Sequence, residues 1–138
     1  MSESSPADHP DVRLFTVAEA NALLPVIQPT LESLRELKEQ LDTARVELDR
    51  FTPAMRGNGH GMDVLALERQ IAELITQISA GIDEIASLGI ELKDLNRGLI
   101  DFPSVRDDRI VYLCWRLGED RIAYWHDLDA GFAGRRPI

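Results

Sequence analysis

Apolar residues recur at helical spacing in two long segments of the chain. In the first segment, two interleaved series have members seven residues apart: Ile27, Leu34, Leu41 and Leu48, and Thr30, Leu37, Ala44 and Phe51. Charged residues fill most of the other positions, so the pattern predicts a long helix with one apolar seam. The second segment begins near Met62 or Asp63 and carries a broader stripe up to Leu88. Because the connection is short, we predict an antiparallel helical hairpin.

Capping and helix-breaking residues set the predicted boundaries of the first helix. Thr16 and Glu19 have the spacing of a capping box, which predicts a short helix over residues 17–23. Proline interrupts a helix interior but is tolerated at a first helical position. We therefore expect the long helix to start at Pro25 and to stop before Pro53.

Two glycines shape the second helix. Gly81 lies in its interior and costs about 1 kcal/mol relative to alanine unless another helix approaches closely there. Gly89 supplies a C-terminal stop.

Two helices alone cannot cover the broad apolar stripe of the second helix, so the C-terminal segment, a second copy of the chain or both must do so. We predict a homodimer formed through the long helices.

The pattern changes to alternation after residue 88. Residues 89–93, 99–102, 109–116 and 121–126 are predicted as strands, with Pro103 ending the second of them. The predicted fold class is α+β: a long antiparallel helical hairpin, with a short N-terminal helix, followed by a small antiparallel β-sheet of three to four strands.

The domain organisation follows from these segments. Residues 1–13 combine serine, proline and acids without periodicity and are predicted to be a disordered arm. Residues 14–138 are predicted to form a single domain, with the helical hairpin over 14–88 and the β-sheet and C-terminal tail over 89–138.

Net charge and cysteine content exclude several classes of protein. The chain has 15 lysines and arginines against 24 acids, a net charge of −9. That field repels phosphates and argues against general nucleic-acid binding or attachment to an anionic membrane. The single cysteine, Cys114, cannot form an internal disulfide, and no apolar run approaches the ~20 residues that span a bilayer. The N-terminus lacks a signal-peptide pattern, so we expect a cytoplasmic location.

Aromatic and basic residues concentrate at the C-terminal end. Six of the eight aromatic residues lie in residues 89–138, where eight basic residues face nine acids for a net charge of −1. Residues 1–88 therefore carry −8. A nearly neutral, arginine-rich and aromatic-rich region has the composition of interfaces and ligand pockets.

A ligand site on this sheet is one prediction. If residues 118–119 form the tip of a hairpin, Arg116 and Arg121 face each other across it, and like charges there favour an anionic partner. We therefore name Arg116, Arg121, Trp115 and Trp125 as candidate ligand-binding residues. The alternative is that both guanidinium groups extend into solvent.

A metal site is the second prediction. His126 stands beside Asp127 and Asp129, and Glu119 is close in sequence. Such nitrogen and oxygen ligands suit a divalent metal. The alternative is a histidine at a strand end that is hydrogen-bonded to a neighbouring carboxylate.

The predicted hairpin register bears on Cys114. It pairs Cys114 with Ala123 and Val111 with His126, which points Cys114 and His126 to opposite faces because side chains alternate. A Cys–His site then needs a bulge or a register slip, and we expect Cys114 to be a small buried apolar residue.

Other catalytic patterns are weak. The glycine-rich residues 57–61 connect two helices rather than a strand and a helix, so we expect a mobile loop and not a phosphate cradle. His9 and His60 are expected to be solvated. There is no nucleophile-elbow sequence.

Several separated motifs resemble domain-of-unknown-function family 2203, an uncharacterised prokaryotic family. These motifs are FTVAEAN at residues 15–21, LP at 24–25, GIELK at 89–93, GLIDFP at 98–103, LCW at 113–115, WH at 125–126 and GFAGR at 131–135. The resemblance covers nearly the whole chain. It implies a small bacterial protein with helices first and a compact, motif-rich end, and it implies no activity.

The combined prediction is a homodimeric, non-enzymatic binding or interaction protein whose site lies on the aromatic, arginine-rich C-terminal sheet. The alternative is a metal-binding protein or a metal-dependent enzyme that uses His126 with nearby carboxylates. A coiled-coil adaptor that joins larger proteins is a third possibility. Whether the protein is an enzyme stays open at this point.

Overall fold

The computed structural model describes residues 5–57 and 59–138, so residues 1–4 of the predicted arm and Asn58 of the predicted loop lie outside the described residues. A 3₁₀ turn, Pro6–Asp8, precedes the helices. The helices are α1 (Val17–Asp49), α2 (Pro53–Gly57) and α3 (Gly61–Ser87). No helix in this part of the chain is long and apolar enough to cross a lipid bilayer.

Helix α1 is continuous, so the prediction of a separate short helix before Pro25 is wrong. The capping box of Thr16 and Glu19 starts α1 as predicted, and the helix then runs through Pro25 and Pro29. Both prolines are exposed, so the backbone carbonyls that they leave without a partner are near solvent. On the opposite side, residues before and after the prolines pack into one core and hold the helix together: Ala20, Leu24, Ile27 and Leu31.

Helices α1 and α3 form the predicted antiparallel hairpin. Leu34 of α1 lies against Gly81 of α3, and Phe51 near the connection lies beside Leu67. A Cβ atom on Gly81 would stand 2.6 Å from Leu34 Cδ2, so the missing side chain permits the close approach of the two helices. Gly89 ends α3 with a φ of 84°, as predicted.

The sheet has five antiparallel strands in sequence order, not three to four. The strands are β1 (Glu91–Asp94), β2 (Leu99–Arg106), β3 (Arg109–Arg116), β4 (Tyr124–His126) and β5 (Arg136–Pro137). The additional strand, β5, lies in the C-terminal tail, where the glycines and charged residues are typical of a loop. It is held as an edge strand by its pairing with β4.

Pro103 does not end β2, which corrects the second predicted strand. The Pro103 carbonyl accepts a hydrogen bond of 2.7 Å from the Phe15 N–H, so the backbone of Pro103 faces away from β3. The missing proline N–H therefore costs no bond between β2 and β3. The two strands continue to a two-residue turn in which Asp107 and Asp108 have φ of 53° and 63°.

One face of the sheet packs on the helical hairpin. Its side chains join the same apolar core as those of α1: Ile100, Phe102, Val111, Leu113, Trp115 and Trp125. The segment before α1 is tied to this layer, because Ser104 Oγ donates to the Phe15 carbonyl and the Phe15 ring meets Phe102 edge-on at 5.3 Å. The other face of the sheet buries polar side chains as well as apolar ones.

The register between β3 and β4 differs by one residue from the predicted register. Tyr112 pairs with His126 and Cys114 pairs with Tyr124. A slip of one residue turns a strand over, so Cys114 and His126 lie on the same face and the prediction of opposite faces is wrong. The link before β4 is not a tight hairpin, and in it the Ile122 N–H donates to Asn21 Oδ1 at 2.8 Å, a tertiary contact with α1.

Candidate metal site on the outer sheet face

The sheet face that points away from the helices buries three polar or thiol side chains. They are Asp101 on β2, Cys114 on β3 and His126 on β4, with exposed fractions of 2%, 1% and 2%. Asp101 and Cys114 are direct cross-strand partners. His126 pairs with Tyr112, which lies two residues before Cys114 on the same face of β3. Alternation along three adjacent strands therefore brings the three side chains together.

The ligand-type atoms of these residues converge. One atom from each of Asp101, Cys114 and His126 lies within 4.8 Å of the other two. His126 Nε2 is 3.1 Å from both carboxylate oxygens of Asp101. On the other side of the ring, His126 Nδ1 is 2.7 Å from the Asp127 backbone carbonyl oxygen.

This last contact determines where the histidine carries its proton. A carbonyl oxygen only accepts, so the bond requires a proton on His126 Nδ1. In neutral imidazole, Nε2 then presents a lone pair, and that lone pair faces the Asp101 carboxylate. Two acceptors at hydrogen-bond distance repel, so a positive charge must stand between them, either a proton or a metal ion.

Burial dominates the electrostatics of the cluster. It raises the pKa of Asp101, against the opposing effect of His126. Burial, reinforced by the negative charge of Asp101, raises the pKa of Cys114 to about 12. Without a cation the Cys114 thiol is therefore protonated at neutral pH, and it is not an activated nucleophile.

Aromatic and charged side chains surround the cluster. The Tyr112 ring is 5.4 Å from the His126 ring, and Lys93 Nζ stands 4.6 Å from the centre of Tyr112. On the other flank, Arg135 forms two hydrogen bonds of 2.9 Å with Glu119 and covers the Tyr124 ring at 4.1 Å. These contacts shield the cluster from water.

The structure gives His126 other neighbours than the predicted carboxylates. The Asp127 carboxylate pairs with Arg109 at 2.8 Å, and only its backbone carbonyl contacts His126. Glu119 is paired with Arg135, and Asp129 is exposed. Asp101 and Cys114 take the places next to His126.

The predicted ligand residues do not form one site. Arg116 is paired with Leu99 of β2, and Arg121 lies outside the strands and is exposed, so the two do not face each other across a hairpin. Trp115 is in the core, where its Nε1–H donates to the Glu119 carbonyl. Trp125 is also buried, and the guanidinium groups near its ring belong to Arg106, Arg109 and Arg136.

Asp101 is the residue of the cluster that the sequence reasoning missed. Its signal was present, because it is the one charged residue between the apolar Ile100 and Phe102 in a short strand. An acid at such a position faces away from its apolar neighbours, and in a buried strand it needs a partner.

The cluster has the chemistry of a transition-metal site. A thiolate, an imidazole and a carboxylate together suit zinc or a similar ion. Ligands 2.0–2.3 Å from one tetrahedral ion stand about 3.3–3.7 Å apart. The 3.1 Å separation of His126 Nε2 and Asp101 is close to that spacing, and the carbonyl bond at Nδ1 is the usual outer support of a ligating histidine.

Fold and site together define an α+β protein in which a helical hairpin supports a five-stranded antiparallel sheet with a buried Asp–Cys–His cluster. The chain belongs to the family described as "Uncharacterized conserved protein (DUF2203)", whose profile matches residues 13–138. This match confirms the resemblance found in the motifs. No curated protein and no solved structure matches the chain. The function must therefore be argued from the residues themselves.

Proposed function

We propose that this protein is a metal-binding protein and that Asp101, Cys114 and His126 hold one transition-metal ion of the zinc type. The proposal keeps the predicted site on the C-terminal sheet and the predicted metal ligand His126, and it exchanges the predicted carboxylates for Asp101 and Cys114. The observation that carries it is the His126 Nε2 lone pair directed at the Asp101 carboxylate, which requires a proton or a metal ion between them.

The nature of the third residue favours a metal over a proton. A proton shared by His126 and Asp101 would complete a buried ion pair that does not require a thiol. Cys114 nevertheless lies against Asp101 and in reach of the same point. A soft sulfur ligand is what raises the affinity of a nitrogen and oxygen site for zinc-type ions.

Three protein ligands leave one position of a tetrahedral ion for a further ligand. Water or a small anion fills that position in zinc sites with an open coordination place. The nearby Tyr112 and Lys93 side chains stand at the rim, where the Lys93 ammonium group is paired with Glu91 at 2.8 Å.

Elemental analysis of protein purified without an affinity tag tests the proposal. We expect about one transition-metal ion per chain in the wild type. The His126→Ala and Asp101→Asn variants are expected to lose it, with circular dichroism to check that they fold. Asp129→Asn and His60→Ala are matched controls, because both residues are of ligand type but lie outside the cluster, with the His60 side chain 43% exposed.

Two results would contradict the proposal. One is wild-type protein that takes up no zinc, iron, cobalt or manganese even after dialysis against the ion. The other is a folded His126→Ala variant that retains as much metal as the His60→Ala control.

A further inference from the structure

Helix α3 carries a second, largely apolar stripe outside its contact with α1. The residues that face α1 include Leu74, Ile78 and Ile85, which are buried. About a third of a turn away, large apolar residues alternate with small ones at intervals that sum to seven, and all stay exposed: Leu65, Ala72, Ile75, Ser79, Ile82 and Ala86. Leu65, Ile75 and Ile82 are 41%, 41% and 38% exposed. This spacing is the seam of a coiled coil.

The sheet does not cover this stripe. It packs on α1 and reaches α3 near the C-terminal end, through β1. The sequence predicted that the C-terminal segment, a second copy of the chain or both would cover the apolar residues of α3. The C-terminal segment leaves this stripe exposed. A stripe of three partly exposed large residues on one helix is the kind of apolar patch that marks an interaction surface.

We infer that a second copy of the chain covers the stripe, with the two α3 helices antiparallel about a two-fold axis level with Gln77. This arrangement sets Ala72 level with the partner's Ile82 and Ile75 level with the partner's Ser79. Ile75 and Ile82 each then meet a small residue, so the helices approach closely and the two hairpins form a four-helix bundle. The inference does not rest on the metal site.

The polar member of the stripe, Ser79, is compatible with a close contact. Its side chain is small, and a serine hydroxyl within a helix can donate to a backbone carbonyl one turn earlier in the same helix. The hydroxyl can therefore form this hydrogen bond when the partner's Ile75 covers it, and its burial then leaves no donor without a partner.

The charges beside the stripe select this register. Arg69 and Asp83 lie along the same edge of the stripe, and within the described residues neither forms an ion pair. In the antiparallel arrangement, Arg69 and the partner's Asp83 differ in height by about 3 Å, two residues of helical rise. The two-fold axis repeats the pair, so the interface has two complementary contacts at its rim.

The parallel arrangement is less favourable. Each stripe residue would then face its own copy, and Glu68, which interrupts the stripe between Leu65 and Ala72, would meet the partner's Glu68. Like charges at a helix interface oppose association. In the antiparallel arrangement, Glu68 is level with the partner's Ala86 at the end of the contact.

Light scattering and sedimentation of the full-length chain test the association. We expect a particle of twice the 15.5 kDa chain mass. Ile75→Glu together with Ile82→Glu should give a folded monomer. Val46→Glu is the matched control, because Val46 is 54% exposed on α1 and lies outside the stripe. A monomeric wild type at high micromolar concentration, or a dimer that survives the paired substitutions, would overturn the inference.

Cross-linking and charge exchange test the orientation. A cysteine at Thr76, beside the axis, should form a disulfide between chains, whereas one at Leu65 should not, since the two copies of Leu65 are about 36 Å apart. Linkage of both would indicate the parallel arrangement and overturn the register. Asp83→Arg should weaken dimerisation on the order of tenfold, and adding Arg69→Asp should restore it. An unchanged dissociation constant in Asp83→Arg would contradict the charge pairing.

Discussion

The helical hairpin and the sheet bury different kinds of side chain. Every buried residue of α1 and α3 is apolar, whereas the buried polar residues in the described part of the chain, Asp101, Ser104 and His126, all belong to the sheet. A buried acid–histidine pair is weak support for stability, because desolvation offsets most of the attraction. The hairpin therefore buries side chains that stabilise the fold, whereas the sheet retains a cluster with a desolvation cost, which the proposed metal site would explain.

The largest expected effect on stability comes from a substitution in the buried cluster of the sheet. In metal-free protein, Asp101→Leu should lower the free energy of unfolding by roughly 3 kcal/mol, because it leaves His126 without its buried partner. Adding His126→Leu should recover most of that loss and abolish metal binding. Urea unfolding measures both effects.

Asp129→Leu is the control, since Asp129 is exposed and a surface change of this kind stays within about 0.5 kcal/mol. If Asp101→Leu destabilises no more than Asp129→Leu, or if the double variant is no better than the single one, the cluster is not a stability cost kept for binding.

A change of intermediate size tests the hairpin side. Gly81→Val should cost about 1–3 kcal/mol, because its side chain would meet Leu34 at a close contact between the helices. Adding Leu34→Ala should make space for the valine and remove part of the cost of Gly81→Val, although Leu34→Ala also destabilises the protein by itself. Thermal unfolding of the two single variants and the double variant gives the coupling between them. A purely additive result would mean that Gly81 does not hold the helices close.

The smallest expected effect concerns the start of α1. Thr16→Ala should cost about 1 kcal/mol, since it removes the oxygen that accepts from the Glu19 N–H. The hydrogen bond from the Thr16 backbone N–H lowers the pKa of Glu19, so the contribution of Glu19 is complete above the pKa of the unfolded chain and is lost as the pH falls through the lower, folded value. The stability difference between wild type and Glu19→Gln should therefore shrink below about pH 4. A difference that grows in acid would contradict this.

The hairpin was predictable because its information is local. The repeat of apolar residues, the capping box at Thr16 and the glycine at position 89 each act within a few residues, and the structure confirms them. The error was at Pro25, where a local rule predicted a break. There the contacts of α1 with the core on its buried side outweighed the lost hydrogen bond.

The sheet was less predictable because its register depends on distant contacts. Strands and the α+β class followed from alternation, but the link before β4 is held by tertiary contacts such as the bond of Ile122 to Asn21, about a hundred residues away in sequence. A one-residue difference then decides whether Cys114 and His126 share a face. The position of Asp101 beside them requires the pairing of β2 with β3 as well.

Cobalt(II) absorption spectroscopy tests the central claim most directly, because sulfur coordination gives a thiolate-to-cobalt charge-transfer band and tetrahedral geometry gives intense visible bands. We predict both signals at about one equivalent of cobalt for the wild type. The charge-transfer band should disappear in Cys114→Ser, and the visible bands should weaken in His126→Ala. No cobalt spectrum in the wild type, or the same spectrum in all three proteins, would contradict a metal site formed by Asp101, Cys114 and His126.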